Sequence, residues 1–248
     1  MTRLDGRVAI VTGAGSGIGR AVALALALDG ARVMLADIDM VAIEAVAAEI
    51  VSQGREARTF CMDATSEQDQ GALVAATLDR FGKLDCAVNN VGAGTTGVGV
   101  CDETRKDWDR TIALSLTSTW LGMKHQIPAM PGGGAIVNTA SMAGVRYSAS
   151  ASPSYSAAKA AVLHLTRYAA HAHAEQGIRV NSVSPGLAAT AIVDRMFTAE
   201  QQAEMAARGQ LIARAVMPME VAEAVLFLCS DRSAMTTGTN LEVCGGAR

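Results

Sequence analysis

The sequence predicts an α/β fold, a doubly wound parallel sheet of about seven strands with helices on both faces. Three observations carry this. Short β-branched runs alternate with longer helical patterns along the chain, and that alternation builds parallel strands joined by right-handed crossovers. The strands are apolar almost throughout, as in Val8-Ala9-Ile10-Val11, as burial on both faces requires. A glycine-rich turn directly follows the first strand and opens the first helix, which marks the start of a βαβ unit.

In chain order the pattern reads strand Val8–Val11, helix Ile18–Asp29, strand Val33–Ala36, helix Met40–Gln53 and strand Thr59–Met62. Helix Glu67–Phe81, strand Leu84–Asn89, helix Thr104–Met130 and strand Ala135–Thr139 follow. Helix Ser154–Glu175, strand Val180–Val183, helix Met219–Ser230 and strand Leu241–Val243 complete it. The strands are short and rich in Val and Ile, and the helices are longer than strands normally run. Pro131-Gly132-Gly133-Gly134 reads as a turn before a strand. Residues 1–248 therefore form a single domain, with 187–218 as a less regular helical excursion expected to cover the site. That excursion carries Met196, Phe197, Met205, Leu211, Ile212 and Met217.

Composition narrows the function classes. At 248 residues and half apolar, the chain can bury one large core. A net charge of −3 offers no electrostatic footprint for nucleic acid or an anionic membrane. The longest apolar run, Ala21 to Leu28, is too short to span a bilayer, and the amino-terminal residues form no signal-peptide core. Five cysteines, at 61, 86, 101, 229 and 244, show no zinc-finger or CxxC spacing. They read as buried thiols, and the chain as a cytoplasmic protein. His171 and His173 lie two apart, so on a helix they face different ways, and no metal is expected. His164, Tyr168 and His171 share a helical stripe.

The glycine turn is Thr12-Gly13-Ala14-Gly15-Ser16-Gly17-Ile18-Gly19. Its glycines permit close backbone approach, and the helix start behind it offers unpaired N–H groups to a pyrophosphate. Asp37 ends the second strand, 18 residues after Gly19. A carboxylate there accepts both ribose hydroxyls of adenosine and repels a 2′-phosphate. Ala14 and Ser16 supply no compensating cation, so NAD is the expected cofactor. Asp63, beside Ala64 at the third strand's end, is open as an adenine contact or as a turn residue.

Tyr155 and Lys159 stand four residues apart on one helix face, with Ser141 fourteen residues upstream. An ammonium near a phenol favours the phenolate, and a hydroxyl from a strand end can hold a reacting oxygen between them.

Taken as an ordered set, these residues resemble the short-chain dehydrogenase/reductase family over essentially the whole chain. The matching pieces are Thr12-Gly13…Gly17-Ile18-Gly19, Asp63, Asn89-Asn90-Val91-Gly92, Ser141, Tyr155…Lys159, Asn181, and Pro185-Gly186 with Thr190. The resemblance implies a one-domain Rossmann fold, a nicotinamide cofactor and a homotetramer or homodimer. It implies that Tyr155 is the general acid/base, that Ser141 binds and orients the substrate oxygen, and that Lys159 lowers the Tyr155 pKa and holds the nicotinamide ribose. Asn89, Val91 and Gly92 would form a shelf beside cofactor and substrate, and Pro185, Gly186 and Thr190 the nicotinamide-side loop. Substrate contacts are expected from Ala93, Met142, Tyr147 and Leu187, besides Ser141 and Tyr155. Arg146 reads as a loop cation or as a selector of a polar substrate tail.

The chain departs from the family pattern at two positions. Where the family carries an Asn seven residues after Trp108, this chain has Ser115, which can bond a water or a backbone carbonyl, so the proton relay is expected to survive with an extra water or to run less efficiently. Cys244 stands where the family's closing strand ends in Asp-Gly-Gly and is expected to lie outside the site. The reading that follows is an NAD-dependent oxidoreductase interconverting an apolar or alicyclic secondary alcohol and its ketone. Alternatives are an NADPH-dependent 3-oxoacyl-thioester reductase, a sugar or polyol dehydrogenase, and an NAD-binding regulatory protein with a weakened site.

Overall fold

The structure, a computed structural model, describes residues 4–95, 97–190, 193 and 197–247. Seven parallel strands form one sheet in the order β3-β2-β1-β4-β5-β6-β7. They are β1 (Val8–Thr12), β2 (Arg32–Asp37), β3 (Ala57–Cys61), β4 (Cys86–Asn89), β5 (Gly134–Thr139), β6 (Ile178–Pro185) and β7 (Asn240–Val243). Every expected strand is present, shifted by up to two residues at its ends. β1 pairs with both β2 and β4, so the strand order reverses at β1. That reversal opens a crevice beyond the carboxyl ends of β1 and β4.

The pleat sorts the core into two layers. Ala9 and Val11 of β1 pack with Val33, Leu35, Val88 and Val137 beneath helices α1 (Gly17–Leu28) and α2 (Met40–Ser52). Val8 and Ile10 face the other way, with Met34, Ala87 and Ile136, beneath α3 (Glu67–Phe81). Helix α1 begins at Gly17, the third glycine of the turn, and alanines along it bring the helix close to the sheet. The excursion contributes helix α7 (Ala199–Gly209). Its Met196 lies outside the described residues.

The expected helix Thr104–Met130 is interrupted. α4 (Arg105–Ile112) runs into a π-helical turn, Ala113–Thr117, before α5 (Ser118–Gln126) and a closing 3₁₀ turn. The widened turn leaves the fully buried Ser115 bonding outside its own helix. α6 (Pro153–His173) carries the Tyr–Lys pair and starts at a Ser152 cap that accepts the Tyr155 N–H. Its His164, Tyr168 and His171 are all exposed.

The cysteine expectation is corrected. Cys86, Cys229 and Cys244 are buried, but Cys61 and Cys101 are exposed, because Cys61 ends β3 at the sheet rim and Cys101 lies in the loop before α4. Among the described residues, no helix is long and apolar enough to cross a membrane.

Candidate active site

One cavity of about 1250 Å³ opens at the carboxyl end of the sheet. Of the sequence-predicted residues, Gly13, Ser16, Gly17, Ile18, Asp37, Asp63, Ala64, Val91 and Gly92 line one side of it and its floor. Ser141, Tyr155, Lys159, Pro185, Gly186 and Thr190 line the other half, with Ala93, Met142, Tyr147 and Leu187.

Helix α1 presents its amino end to this cavity without a side-chain cap, Ser16 making none. By contrast α2, α3, α4 and α6 are each capped by an Asp, Ser or Thr side chain. Uncapped N–H groups facing a cavity suit an anion. Asp37 is fixed beside them. Its Oδ2 accepts the Gly15 N–H at 3.0 Å and its Oδ1 the Asp39 N–H at 3.1 Å. Asp63 lines the cavity while its Oδ1 closes a turn onto Thr65, accepting from the hydroxyl at 2.7 Å and the N–H at 2.8 Å. Asp63 is therefore a turn residue that also faces the cavity.

At the other end Ser141 stands near enough to the Tyr155 phenol to act on its pKa, and its hydroxyl accepts the Ala143 N–H at 3.1 Å, which fixes its rotamer. Lys159 is 2% exposed. Its Nζ donates to the Thr139 carbonyl at 2.7 Å and lies 5.7 Å from the Tyr155 ring centroid. A Cβ on Gly92 would stand 2.7 Å from that Nζ, so a larger residue at this wall would displace the ammonium.

Electrostatics at the pair differ from the sequence expectation. Burial raises the Tyr155 pKa above the usual phenol value, and Ser141 only partly opposes this. Lys159 is itself pushed down to about 8 by burial. The ammonium points at Thr139 rather than at the phenol, so desolvation outweighs the through-space attraction.

Four expected placements change. Asn89 does not line the cavity. The strand pleat turns its side chain into the core, where it donates to Gln126 and Asn138, both at 3.0 Å. Its neighbour Asn90 takes the shelf instead, donating to the Gly13 carbonyl at 3.4 Å and accepting from Thr139 Oγ1 at 3.3 Å. Gly19 packs behind the loop, where a Cβ would fall 1.9 Å from the Gly13 carbonyl oxygen. Ser115 stands behind the wall. Its hydroxyl donates to the Ala93 carbonyl at 2.8 Å and accepts the Ala93 N–H at 3.1 Å, which ties down a backbone segment and commits the proton a relay would need. Cys244 lines the cavity beside Gly186.

Sequence reasoning also missed Ile38, Met62 and Leu114 in the lining. Ile38 had a signal, since an apolar residue directly follows Asp37 and is 72% exposed. Asn181 belongs to the scaffold, bonding Thr236 and Thr239.

An uncapped helix start beneath a glycine loop, at the switch point of a parallel sheet, defines a dinucleotide-binding α/β protein. Comparison with known proteins narrows the class. A family model described as "Enoyl-(Acyl carrier protein) reductase" matches residues 13–248. The chain belongs to the short-chain dehydrogenase/reductase family.

It is 43% identical over 242 residues to cis-4-hydroxycyclohexanecarboxylate dehydrogenase of Sinomonas cyclohexanicum, covering 97% of this chain and 96% of that one. It is 38% identical over 249 residues to cyclohexanol dehydrogenase of Acinetobacter sp. strain SE19, with 98% and 95% covered. Among solved structures, a 7α-hydroxysteroid dehydrogenase complexed with NADH and 7-oxo glycochenodeoxycholic acid superposes with a TM-score of 0.94. That chain is 36% identical, with 99% of this chain and 96% of that one covered.

Proposed function

We propose that this protein interconverts an alicyclic secondary alcohol and its ketone, using NAD. The observation that carries the reading is the Ser141–Tyr155 hydroxyl pair at the cavity end opposite Asp37, with buried Lys159 alongside. A cavity of about 1250 Å³ exceeds the ~300–1,000 Å³ of a single-ligand pocket, as one shared by a dinucleotide and a substrate must. The relatives named for cyclohexanol and hydroxysteroid oxidation act on saturated rings. Met142, Leu187, Val193, Phe197 and Met205 in the lining suit such rings and disfavour a sugar. Residues 187–218 are read as the cover over that ring.

The residues present fit the cofactor. The α1 amino end would hold the pyrophosphate, Asp37 the adenosine ribose, Lys159 the nicotinamide ribose, and the Pro185–Thr190 loop the carboxamide end. Bound nicotinamide supplies the hydride acceptor and a positive ring charge. Ser141 holds the carbinol oxygen against Tyr155. Tyr155 removes the hydroxyl proton as the ketone forms and returns it in the reverse direction. Because burial raises the Tyr155 pKa, its protonated state is the resting one, and carbinol oxidation accelerates with rising pH. Asp37 favours NAD over NADP by like-charge repulsion of a 2′-phosphate, which also disfavours the NADPH-dependent thioester-reductase alternative. Assembly as a homotetramer or homodimer follows the family pattern.

The test is NADH formation with a panel of cyclic, steroidal and aliphatic secondary alcohols. Tyr155→Phe is expected to lower kcat roughly 10²–10⁴-fold with binding of NAD retained. Unchanged turnover in that variant overturns the mechanism. NAD binding without turnover of any panel member favours the regulatory alternative.

A further inference from the structure

Tyr155 is the third residue of α6, so its place depends on how the first turn of that helix is held. Pro153, at the first position, has no N–H. The Tyr155 N–H donates to the Ser152 hydroxyl at 3.3 Å. The Ser154 N–H between them is claimed from 51 residues upstream, by Glu103 Oε2 at 3.0 Å. Glu103 Oε1 accepts the Ser154 hydroxyl as well. Helices α2, α3 and α4 are capped only by the residue before their own first turn, whereas α6 has this second cap brought in from elsewhere in the fold.

These bonds form a directed chain. A carboxylate only accepts, so the Ser154 hydroxyl points its proton at Glu103. Ser152 Oγ lies 3.1 Å from Ser154 Oγ and donates to it, while its lone pair takes the Tyr155 N–H. Ser152 and Ser154 are both fully buried, so water does not compete for these groups. The segment that delivers Glu103 is also the cavity wall. Ala93, Gly94, Thr95 and Gly97 line the cavity, and the Thr95 carbonyl accepts the Ser152 N–H at 3.2 Å. A Cβ on Gly94 would stand 2.7 Å from the Tyr155 Cβ, so the wall lies directly against the tyrosine. The far end of the segment is anchored where the Asp102 and Glu103 N–H groups donate to the Gly99 carbonyl, at 3.1 and 3.2 Å, and Thr104 caps α4.

Proton transfer needs the phenol within about 2.6–3.2 Å of the carbinol oxygen, and a misplacement of ~1 Å costs on the order of 100-fold. We infer that Glu103 is a positioning residue for Tyr155, holding the first turn of α6 and the 93–97 wall in one register through Ser154 and Ser152. Glu103 stands outside the cavity lining and acts on the substrate only through the tyrosine. Without its carboxylate the buried Ser154 N–H and hydroxyl both lose their acceptor. The turn then shifts to find water and takes Tyr155 with it. This rests on the alcohol–ketone reading above.

The test is a double-mutant cycle. Glu103→Ala, Glu103→Gln and Ser154→Ala are each made with Tyr155 intact and with Tyr155→Phe, and NADH formation is followed with the best alcohol of the panel. Hydrogen exchange of the first turn of α6 is measured alongside by mass spectrometry. With Tyr155 intact, Glu103→Ala is expected to lower kcat about ten- to hundredfold with NAD affinity unchanged. Glu103→Gln, whose carbonyl still accepts the Ser154 N–H, should recover part of the loss. In the Tyr155→Phe background the same substitutions should cost little further turnover, because the group they position is gone. Exchange at Ser154 and Tyr155 should quicken in Glu103→Ala. Equal losses in the two backgrounds reduce Glu103 to a structural cap and overturn the inference while the alcohol reading stands, and so does an unchanged kcat. If Glu103→Ala does not fold, Glu103→Gln and Ser154→Ala are expected to show the same pattern with smaller losses, and the same results overturn it. If no alcohol is oxidised the alcohol reading falls, and exchange alone decides: quickened exchange at Tyr155 keeps the strap, and unchanged exchange overturns it.

Discussion

Replacing Lys159 with Met should abolish turnover and raise stability. A lysine held at about 8 rather than 10.5 has its charged form disfavoured by about 3 kcal/mol in the fold, at 1.36 kcal/mol for each pKa unit. Methionine fills the same buried channel without a charge. The substitution also strips the Thr139 carbonyl of the donor it has at 2.7 Å, which costs about 1 kcal/mol. The net expectation at pH 7 is about 2 kcal/mol of added stability, or roughly 4–8 °C in Tm for a chain of this size.

The pH dependence identifies the cause. Because the folded pKa lies below the unfolded one, the unfolded chain binds the extra proton between about pH 8 and 10.5. Wild-type stability therefore climbs through that window, by about 2 kcal/mol from pH 7 to 9.5. The Met variant has nothing to titrate there, so its advantage shrinks by the same amount. Tyr155, whose pKa is raised, acts with the opposite sign and only near and above pH 10, so measurements stop at 9.5. The assay is urea denaturation of both proteins at pH 7.0 and 9.5, at matched concentration. A variant no more stable at pH 7, or a gap that stays constant with pH, refutes the argument.

Asp37→Asn removes the charge and keeps one of the two oxygens that accept the Gly15 and Asp39 N–H groups. The ratio of kcat/KM for NAD over NADP should fall about ten- to hundredfold, or about 1.4–2.8 kcal/mol, and an unmoved ratio sinks the NAD assignment. Ser115→Ala frees both Ala93 backbone groups and should cost about 1 kcal/mol of stability. Its kcat should fall with no change in the shape of the pH–rate profile, and Ser115→Thr should recover most of the loss. A displaced profile in Ser115→Ala would return Ser115 to the proton relay.

The parts of this molecule legible in its sequence are those in which chain-local spacing decides the geometry. Tyr155 and Lys159 share a face because a helix turns every 3.6 residues, and nothing distant alters that. The glycine loop needs only a strand before it and a helix after it. Asn89 and Asn90 show the opposite case. Which of two adjacent amides faces the cavity depends on where the pleat of β4 stops, and Asn89 is claimed by Gln126 and Asn138, 37 and 49 residues away. Cys244 reaches the cavity because the β6–β7 register, which pairs Pro185 with Val243, sets it beside Gly186, a long-range pairing with no local signature. Ser115 was found but misassigned, since its hydroxyl is directed by a π turn that residue type does not announce. The charge state of the Tyr155–Lys159 pair is the deepest such case. Spacing brings the ammonium near the phenol, but the sign of the shift on Tyr155 follows from burial and from the Thr139 carbonyl that captures Nζ. Both are set by the packing of β5 against α6. The motif therefore specifies who meets, and the surrounding core specifies at what pH they react.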